Sequence, residues 1–305
     1  MRKDQFFIGR PNVGKSNILE ALFLFSIPFL RENSSKKLSN LIRLENETEL
    51  FYDGNTDRDF FIKTNLGECS MGYSPKTGLN TYLNYPFGTK HDIQIDDKMN
   101  VVARPGSELF RFPIKRYNYN SKVAYRKSHA KYLIPPFGSN LLSIIENYGE
   151  LKQQVEKLFE EYGLQIAFDK ASQSIKIIRT SENGIFLIPY SSIADTLQRV
   201  IFYKAAIASN EDSVLLFEEP EAHSYPPYMT HITQEMIYKK NCQFFVATHS
   251  PFILNDLLEN GREELAVFIV DFENQETKVK KLSKEELYDV YQNGVDLFTN
   301  TESFI

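Results

Sequence analysis

The stretch of sequence that decides the fold is residues 9–16, Gly9-Arg10-Pro11-Asn12-Val13-Gly14-Lys15-Ser16. It follows a short apolar run, Phe6-Phe7-Ile8, and precedes a helical pattern that extends from Lys15 to about Ile27. A buried strand, a glycine loop and the start of a helix are the context in which the spacing Gly-x-x-x-x-Gly-Lys-Ser/Thr binds phosphate. The sequence therefore predicts a phosphate-binding loop at the edge of a sheet.

The residue types in this loop each have a physical role in holding an anion. Gly9 and Gly14 allow backbone N–H groups to turn towards phosphate, and the helix N-terminus adds the positive end of its dipole. We expect Lys15 to reach the β- and γ-phosphates and Ser16 to offer its hydroxyl to Mg²⁺. The alternative, a chance glycine turn, is disfavoured by the flanking patterns. The other candidate nucleotide-binding residues of the segment are Asn12, Val13 and Asn17.

A second apolar run, Ser213–Phe217, ends in two carboxylates, Glu218 and Glu219. Continuous apolar runs are typical of strands that are buried on both faces of a parallel sheet. Carboxylates at the carboxyl end of such a strand can complete a metal shell and position a water. We expect Glu218 to hold Mg²⁺ and Glu219 to orient or deprotonate the attacking water. The alternative is a solvated strand edge.

A third apolar run, Gln243–Thr248, leads into His249. A histidine at this edge can donate a hydrogen bond to a γ-phosphate and sense its presence. The alternative is a cap of the next helix, which the pattern predicts to start near Pro251. The two roles are compatible.

These three runs together resemble the ABC-type ATPases of the RecF/SMC/OLD-like branch, which bacterial genomes label as AAA-family ATP-binding proteins. The shared runs are residues 9–22, 215–223 and 247–251. The phosphate loop also resembles that of small GTP-binding proteins, but the chain contains no Asn-Lys-x-Asp guanine-recognition motif. That absence excludes the GTPase interpretation.

The resemblance implies a role for each site residue. Lys15 and Ser16 would hold phosphate and Mg²⁺, Glu218 would occupy the Walker B position, and Glu219 would be the catalytic carboxylate. His249 would be the histidine of the H-loop. The family usually has Asp where Glu218 stands. It also has an antiparallel strand pair before the loop, so with eight residues ahead of Gly9 we expect a truncated or short form of this edge.

The resemblance also implies a signature segment that binds the γ-phosphate of a partner subunit. The equivalent residues, 190–199, depart from the expected Leu-Ser-x-Gly-x-Gln. Ser191 or Ser192 is the candidate to cap the following helix and contact phosphate, and Ser192 is the candidate nucleotide-binding residue. An ordinary helix N-cap is the alternative.

The expected fold class is α/β: a P-loop NTPase and ABC-type ATPase head, with a mostly parallel sheet and an α+β insertion between Walker A and the signature. We expect one domain over residues 1–305, with the inserted or arm region at about 45–190. A helix is predicted over about Asn140–Tyr162, with Asn140 as its N-cap and Gly163 as its stop. Short strands are predicted at Glu49–Tyr52, Phe60–Lys63, Met99–Ala103, Leu164–Phe168 and Ser174–Ile178.

Composition bounds the cellular setting. The chain has 305 residues, 42% of them hydrophobic, and a net charge of −5. Its two cysteines, Cys69 and Cys242, do not make a disulfide framework, so we expect a cytoplasmic protein. The apolar stretch Ile18–Leu30 is too short and too interrupted to span a bilayer, and no signal peptide precedes it. We expect no membrane association.

One basic segment departs from the negative overall charge. Residues 111–131 contain seven Lys or Arg residues and His129, with no Asp or Glu and with interleaved tyrosines. This mixture suits binding of nucleic acid through phosphate contacts and stacking. A solvated face, or a surface for an acidic partner or a neighbouring subunit, is the alternative and is favoured, because the whole chain is acidic.

The expected function is Mg²⁺-dependent binding and hydrolysis of ATP, driving a dimerisation or conformational switch. We expect a homodimer formed through an ATP sandwich and an unknown effector protein, in a bacterial antiviral defence or DNA-associated complex. The alternative is a nucleotide-binding scaffold with little or no turnover. An OLD-type nuclease is disfavoured, because the sequence after Ser250 is too short for its nuclease domain.

Overall fold

The computed structural model describes residues 4–84, 90–102 and 113–304. Its contacts divide the chain into two compact units. The first consists of Met1–Ser16 and Tyr117–Ile305, and the second of Asn17–Arg116. The site residues that the sequence predicts lie in the first unit, apart from Asn17. The prediction of an inserted region at about 45–190 stays a prediction.

The secondary structure alternates short strands and helices. The strands are β1 (Asp4–Ile8), β2 (Phe60–Thr64), β3 (Gly67–Ser74), β4 (Gly78–Asn84), β5 (Lys90–Ile95), β6 (Val101–Val102), β7 (Ile114–Tyr117), β8 (Gln165–Asp169), β9 (Ser174–Ser181), β10 (Gly184–Pro189), β11 (Val214–Glu218), β12 (Gln243–Ala247), β13 (Leu265–Glu273) and β14 (Glu276–Lys281). The α-helices are α1 (Lys15–Phe23), α2 (Leu141–Asn147), α3 (Gly149–Glu160), α4 (Asp195–Ala208), α5 (Thr230–Tyr238), α6 (Pro251–Asn260) and α7 (Lys284–Asn293).

The first unit is built on a mostly parallel sheet. Within this unit the strand order is β14-β13-β1-β12-β11. Strand β1 pairs in parallel with β12 on one side and with β13 on the other, and β11 pairs in parallel with β12. The carboxyl ends of these four strands therefore meet at one edge of the sheet, where ligands bind in open α/β sheets. The expected α/β fold class is confirmed.

Apolar side chains hold the two faces of this sheet. Phe6 and Ile8 are fully buried in a core to which α4, α5 and α6 contribute. On the other face, the ring of Phe7 stacks on Phe245 and Phe268, with centroid separations of 6.1 and 5.3 Å. Because successive residues of a strand point to opposite faces, β1 is anchored on both sides. The loop that follows it starts from a fixed position.

The first unit also contains a three-stranded antiparallel sheet, in the order β10-β9-β8. The second unit contains a five-stranded antiparallel sheet, in the order β2-β3-β4-β5-β6.

Two strand predictions need correction. The strand predicted at Glu49–Tyr52 is wrong: the chain forms 3₁₀ turns at Glu47–Leu50 and Tyr52–Gly54. The Asn46 side chain accepts a hydrogen bond from the Thr48 N–H and starts the first turn. Of the strand predicted at Met99–Ala103, Val101–Val102 forms β6 and Ala103 lies outside the described residues.

Two helix predictions need correction. The helix that begins at Lys15 ends at Phe23 and continues to Glu32 as a 3₁₀ helix that contains Pro28. Proline disfavours the α-conformation of the residue before it and removes one N–H donor, which explains the early end.

The helix predicted at Asn140–Tyr162 is two helices, α2 and α3, separated by Tyr148 in an extended conformation. Asn140 occupies the N-cap position of α2, as predicted, but its side chain makes no capping hydrogen bond. Its Oδ1 accepts from the Ile134 N–H and its amide donates to the Tyr132 carbonyl, at 2.8 and 3.0 Å. The side chain is engaged by the preceding loop, a contact that periodicity does not reveal. Gly163 follows α3 with a left-handed φ of 66°, as expected of a helix stop.

Both cysteines are buried thiols that are not joined in a disulfide. No helix in the described part of the chain is long and apolar enough to cross a membrane.

The first testable prediction concerns Asp4, at the start of β1. Its Oδ1 accepts a hydrogen bond from the Phe244 N–H at 3.1 Å, and burial raises the pKa of this carboxyl from 3.8 to about 7. An acid with a raised pKa stabilises the fold below its unfolded-state pKa and loses that contribution as pH rises to its folded-state pKa. Wild-type stability should therefore decline between about pH 4 and pH 7. Asp4→Asn should flatten that decline.

The measurement is the free energy of unfolding by denaturant at several pH values. Asp57→Asn, at an exposed position, is the matched control and should leave the wild-type slope unchanged. Identical slopes for wild type and Asp4→Asn would contradict the assignment.

Candidate active site

The loop after β1 has the backbone that a phosphate site requires. Gly9 and Gly14 adopt φ values of 153° and 101°, and Asn12 adopts 62°. A Cβ atom at Gly9 would lie 2.2 Å from the Val270 carbonyl oxygen. A side chain at position 9 is therefore excluded both by conformation and by the neighbouring strand β13.

Strand β14 packs directly on the same loop, a contact that the sequence analysis missed. The Thr277 hydroxyl donates a hydrogen bond to the Val13 carbonyl at 3.1 Å. A Cβ atom at Gly14 would lie 2.2 Å from Thr277 Oγ1. Thr277 is 264 positions from Val13 in sequence, so no local pattern signals this contact.

Lys15 is buried within the loop that precedes it. Its side chain is 4% exposed, and Nζ donates to the carbonyls of Gly9 and Arg10 at 2.9 and 2.7 Å. Burial lowers the pKa of this ammonium, while the negative charge of Glu219 acts in the opposite direction. The loop therefore holds a desolvated cation whose carbonyl partners carry only partial charge.

The carboxylates predicted to act on metal and water follow one another at the end of β11. Glu218 is the last residue of the strand and lies opposite Ala247 of β12. Glu219 adopts a left-handed φ of 43°, and its N–H donates to the Ala247 carbonyl at 2.8 Å. Left-handed conformations of residues other than glycine cost energy and are concentrated at functional sites.

His249 lies beside this carboxylate. Its Nε2 is 3.7 Å from Glu219 Oε1. Burial, followed by the positive charge of Lys15, lowers the pKa of the imidazole, and Glu219 raises it. The ring is therefore neutral at pH 7 and carries one N–H donor. The structure thus brings Lys15, Glu219 and His249, from three different motifs, into one electrostatic environment.

The alternative role of His249 as a helix cap is wrong. Ser250 is the N-cap of α6, and its hydroxyl accepts from the Ile253 N–H at 3.4 Å. The His249 ring is thus available to the site.

Glu221 is a second residue that the sequence analysis missed. Its Oε1 accepts hydrogen bonds from the Thr248 hydroxyl and from the His249 N–H, each at 2.7 Å. Burial raises the pKa of this carboxyl. Glu221 therefore ties the segment after β11 to the segment after β12. The third acidic residue in the run Glu-Glu-Pro-Glu, residues 218–221, was the feature of the sequence that could have indicated Glu221 as a site residue.

The donors present fit a Mg²⁺ ion. Ser16 is the second residue of α1 and Glu218 ends β11, and both are half-buried. Within the described residues, no group of three or more His, Cys, Asp or Glu side chains is arranged to hold a metal ion. Mg²⁺ usually takes one or two protein oxygens and completes its shell with phosphate and water, so a hydroxyl and a carboxylate are a suitable donor set.

The remaining predicted site residues are Val13, Asn12, Asn17 and Ser192. Val13 is buried, and Asn12 and Asn17 are exposed, with Asn17 opening the second unit. Ser192 is exposed at the end of a 3₁₀ turn, Tyr190–Ser192, whose first residue is buried. It does not cap α4: the N-cap position is Ala194, which has no side-chain cap. A role for Ser192 in phosphate binding stays a prediction.

The basic segment divides into buried and exposed parts. Arg111 lies outside the described residues, and Lys115 and Arg116 are buried.

The tyrosines of the segment pack inside the fold. Tyr117 is buried, and its hydroxyl donates to the Leu133 carbonyl at 2.6 Å. Tyr119 donates to Gln198 Oε1 at 3.0 Å and Tyr125 packs on Tyr190. Tyr117 belongs to the core, and Tyr119 and Tyr125 are partly buried and pack against it. Binding of nucleic acid by this segment stays a prediction. The exposed cations are Lys122, Arg126, Lys127 and Lys131.

Comparisons with solved structures find low sequence identity over most of the chain. One is a crystal structure of the SmcHead bound to the C-winged helix domain of ScpA, with 12% identity, 95% of this chain and 93% of that chain covered, and a TM-score of 0.48. The SMC head domain from Thermotoga maritima has 11% identity, covers 92% and 90%, and has a TM-score of 0.39. An ATP-binding cassette of an ABC transporter in its ADP conformation has 14% identity, covers 95% and 84%, and has a TM-score of 0.40.

No curated protein matches the chain significantly. A family model described as "AAA domain, putative AbiEii toxin, Type IV TA system" matches residues 90–255, more than half of the chain. The matched segment contains Glu218, Glu219 and His249, whereas the phosphate loop precedes it. The chain belongs to this AAA-domain family, in agreement with the resemblance of its motifs to AAA-family ATP-binding proteins.

Proposed function

We propose that this chain binds ATP with Mg²⁺, hydrolyses it, and uses the reaction to drive a dimerisation or conformational switch. The observation that carries the proposal is the convergence of Lys15, Glu219 and His249 at the carboxyl edge of one parallel sheet. Family membership supports the same conclusion, because the matched segment includes two of these three residues.

Binding of the triphosphate follows from the loop. Backbone N–H groups between Gly9 and Ser16, together with the start of α1, form an anion site. The buried Lys15 ammonium now has two carbonyl partners, and a phosphate oxygen would supply the full negative charge that carbonyls lack. Mg²⁺, held by Ser16 and Glu218, would neutralise charge that develops on the β- and γ-phosphate oxygens.

Hydrolysis requires a positioned water and a stabilised γ-phosphate. We assign the water to Glu219, whose carboxylate orients it and accepts its proton as its oxygen attacks the γ-phosphorus in line. The bond to the β-phosphate oxygen breaks, and the products are ADP and inorganic phosphate. His249, neutral and 3.7 Å from Glu219, is placed to donate its N–H to the γ-phosphate.

The switch would require a second copy of the chain. In the ABC-type ATPases that the motifs resemble, the signature segment of one subunit completes the site of the other, and we assign that role here to residues 190–199. Ser192 is exposed and so accessible to a partner. An effector protein and a setting in antiviral or OLD-like defence, or on DNA, are further parts of this proposal. The exposed cations of the basic segment would supply a phosphate-binding surface if nucleic acid is involved.

A nucleotide-binding scaffold with little turnover is the second candidate. Two observations favour it: Glu218 occupies the position where the resemblance implies Asp, and α4 begins without a side-chain cap. The longer Glu218 side chain changes the position of the metal ligand, and a weak signature would slow hydrolysis in trans. Turnover separates the two candidates.

The second prediction is that Glu219→Gln binds ATP within a few-fold of wild type and releases phosphate about 10²- to 10⁴-fold more slowly, because the amide cannot accept the proton of water. Phosphate release with ATP and Mg²⁺ measures this. Glu259→Gln, at an exposed position on α6, is the matched control and should keep wild-type turnover.

Absence of phosphate release by the wild type would favour the scaffold over the enzyme. Sedimentation of Glu219→Gln with ATP tests the switch: the proposal expects a dimer, and a monomer at concentrations that saturate the site would contradict it.

The third prediction concerns Glu221 as a positioning residue. Glu221→Ala should lower kcat by about 10- to 100-fold with little change in KM, because His249 loses the acceptor that holds its backbone. Glu221→Gln keeps an oxygen acceptor and should restore most of kcat. Steady-state kinetics and thermal unfolding of both variants test this. Equal kcat losses in the two variants would show that the charge, and not the hydrogen bonds, matters.

A further inference from the structure

The hairpin formed by β13 and β14 extends past the end of β1. Ile8, the last residue of β1, pairs with Ile269 of β13, and β13 continues to Glu273. Asn274 and Gln275 connect the strands with left-handed φ values of 52° and 65°, the conformation of a tight two-residue turn. The end of the hairpin therefore extends alongside the phosphate loop.

Three contacts attach this hairpin to the loop. The Val270 carbonyl closes the space beside Gly9, and Thr277 lies against Gly14 and donates to the Val13 carbonyl. Asp271 Oδ1 is 3.4 Å from Arg10 Nη2. The hairpin is thus one wall of the nucleotide site on which the proposed function rests.

Phe272 lies on this wall. It is the direct cross-strand partner of Thr277, so the two side chains project from the same face of the hairpin. Thr277 uses that face to contact the loop, while the Phe272 side chain is 53% exposed. A large aromatic ring is therefore open to solvent on the face that bears on the phosphate loop.

The order of the strands gives a bound nucleotide its direction. Glu219 and His249 follow β11 and β12, which lie on one side of β1, and β13 lies on the other side. A triphosphate whose γ-phosphate faces Glu219 and His249 directs its nucleoside towards the opposite side of the loop. That side carries the β13–β14 hairpin.

We infer that Phe272 is the stacking platform for the nucleobase. This inference rests on the proposed function and adds the residue that holds the nucleoside. Every base has a π-face, so stacking on an aromatic ring tolerates different bases. Phe272 therefore contributes affinity for the nucleoside, without selecting one base, and leaves phosphate binding to the loop.

Calorimetric titration with ATP and with inorganic tripolyphosphate, both with Mg²⁺, separates these contributions. Phe272→Ala should weaken ATP binding by about tenfold and leave tripolyphosphate binding unchanged, because tripolyphosphate has no base. Phe272→Trp should bind ATP at least as well as wild type. Phe186→Ala is the matched control, since Phe186 is 54% exposed on β10, and it should bind both ligands like wild type.

Failure of the proposed function and failure of the Phe272 inference give different binding results. If the wild type binds neither ligand, the proposed function is wrong and this inference falls with it. If the wild type binds both and Phe272→Ala keeps full affinity for ATP, only the inference is overturned. It is also overturned if Phe272→Ala loses both ligands equally, because the ring would then support the loop and not the base.

Discussion

The contact between the buried Lys15 ammonium and the carbonyls of Gly9 and Arg10 is the interaction on which the site depends. Removing an ammonium from water costs several kcal/mol, and its partners must offset that cost. The two carbonyls carry only partial charge and offset only part of that cost, and burial still lowers the pKa of Lys15. A cation held in this way favours an anionic ligand. The loop is therefore preorganised for phosphate.

The surrounding structure holds the loop on one side and the His249 segment on the other. On one side, β13 and β14 place the Val270 carbonyl and the Thr277 side chain where Cβ atoms at Gly9 and Gly14 would stand. On the other side, Glu221 joins the chain after β11 to the chain after β12 and so sets the position of His249. The glycines are required because the sheet comes close to the loop.

Sequence spacing predicted the residues that lie at the carboxyl edge of the parallel sheet. The phosphate loop, the Glu218-Glu219 pair and His249 each follow an apolar run, and parallel strands with such ends must share an edge. The contacts of Thr277 and Glu221 could not be predicted, because they depend on the register of strands and turns that are distant in sequence. The position of Phe272 beside the phosphate loop could not be predicted for the same reason.

Side-chain direction explains the errors elsewhere. The spacing of the basic segment did not show that Tyr117 and Tyr119 turn inwards. Tyr117 ends the short strand β7, all four residues of which are buried, so no alternation of buried and exposed positions marks it. The break between the helices at Tyr148 could not be predicted, because the apolar pattern continues from α2 into α3. Periodicity reports which face is buried, and it does not report whether the backbone between two turns is continuous.

Equilibrium binding of ATP to the wild type and to Lys15→Met tests the central claim most directly. Methionine has similar volume and no charge, so burying it should preserve or raise the melting temperature while removing the partner of the phosphates. The account predicts that wild type binds ATP and that Lys15→Met loses at least about tenfold in affinity. Lys127→Met, at an exposed position, should bind like wild type. Equal affinity of Lys15→Met and wild type, or no binding by wild type, would contradict the account.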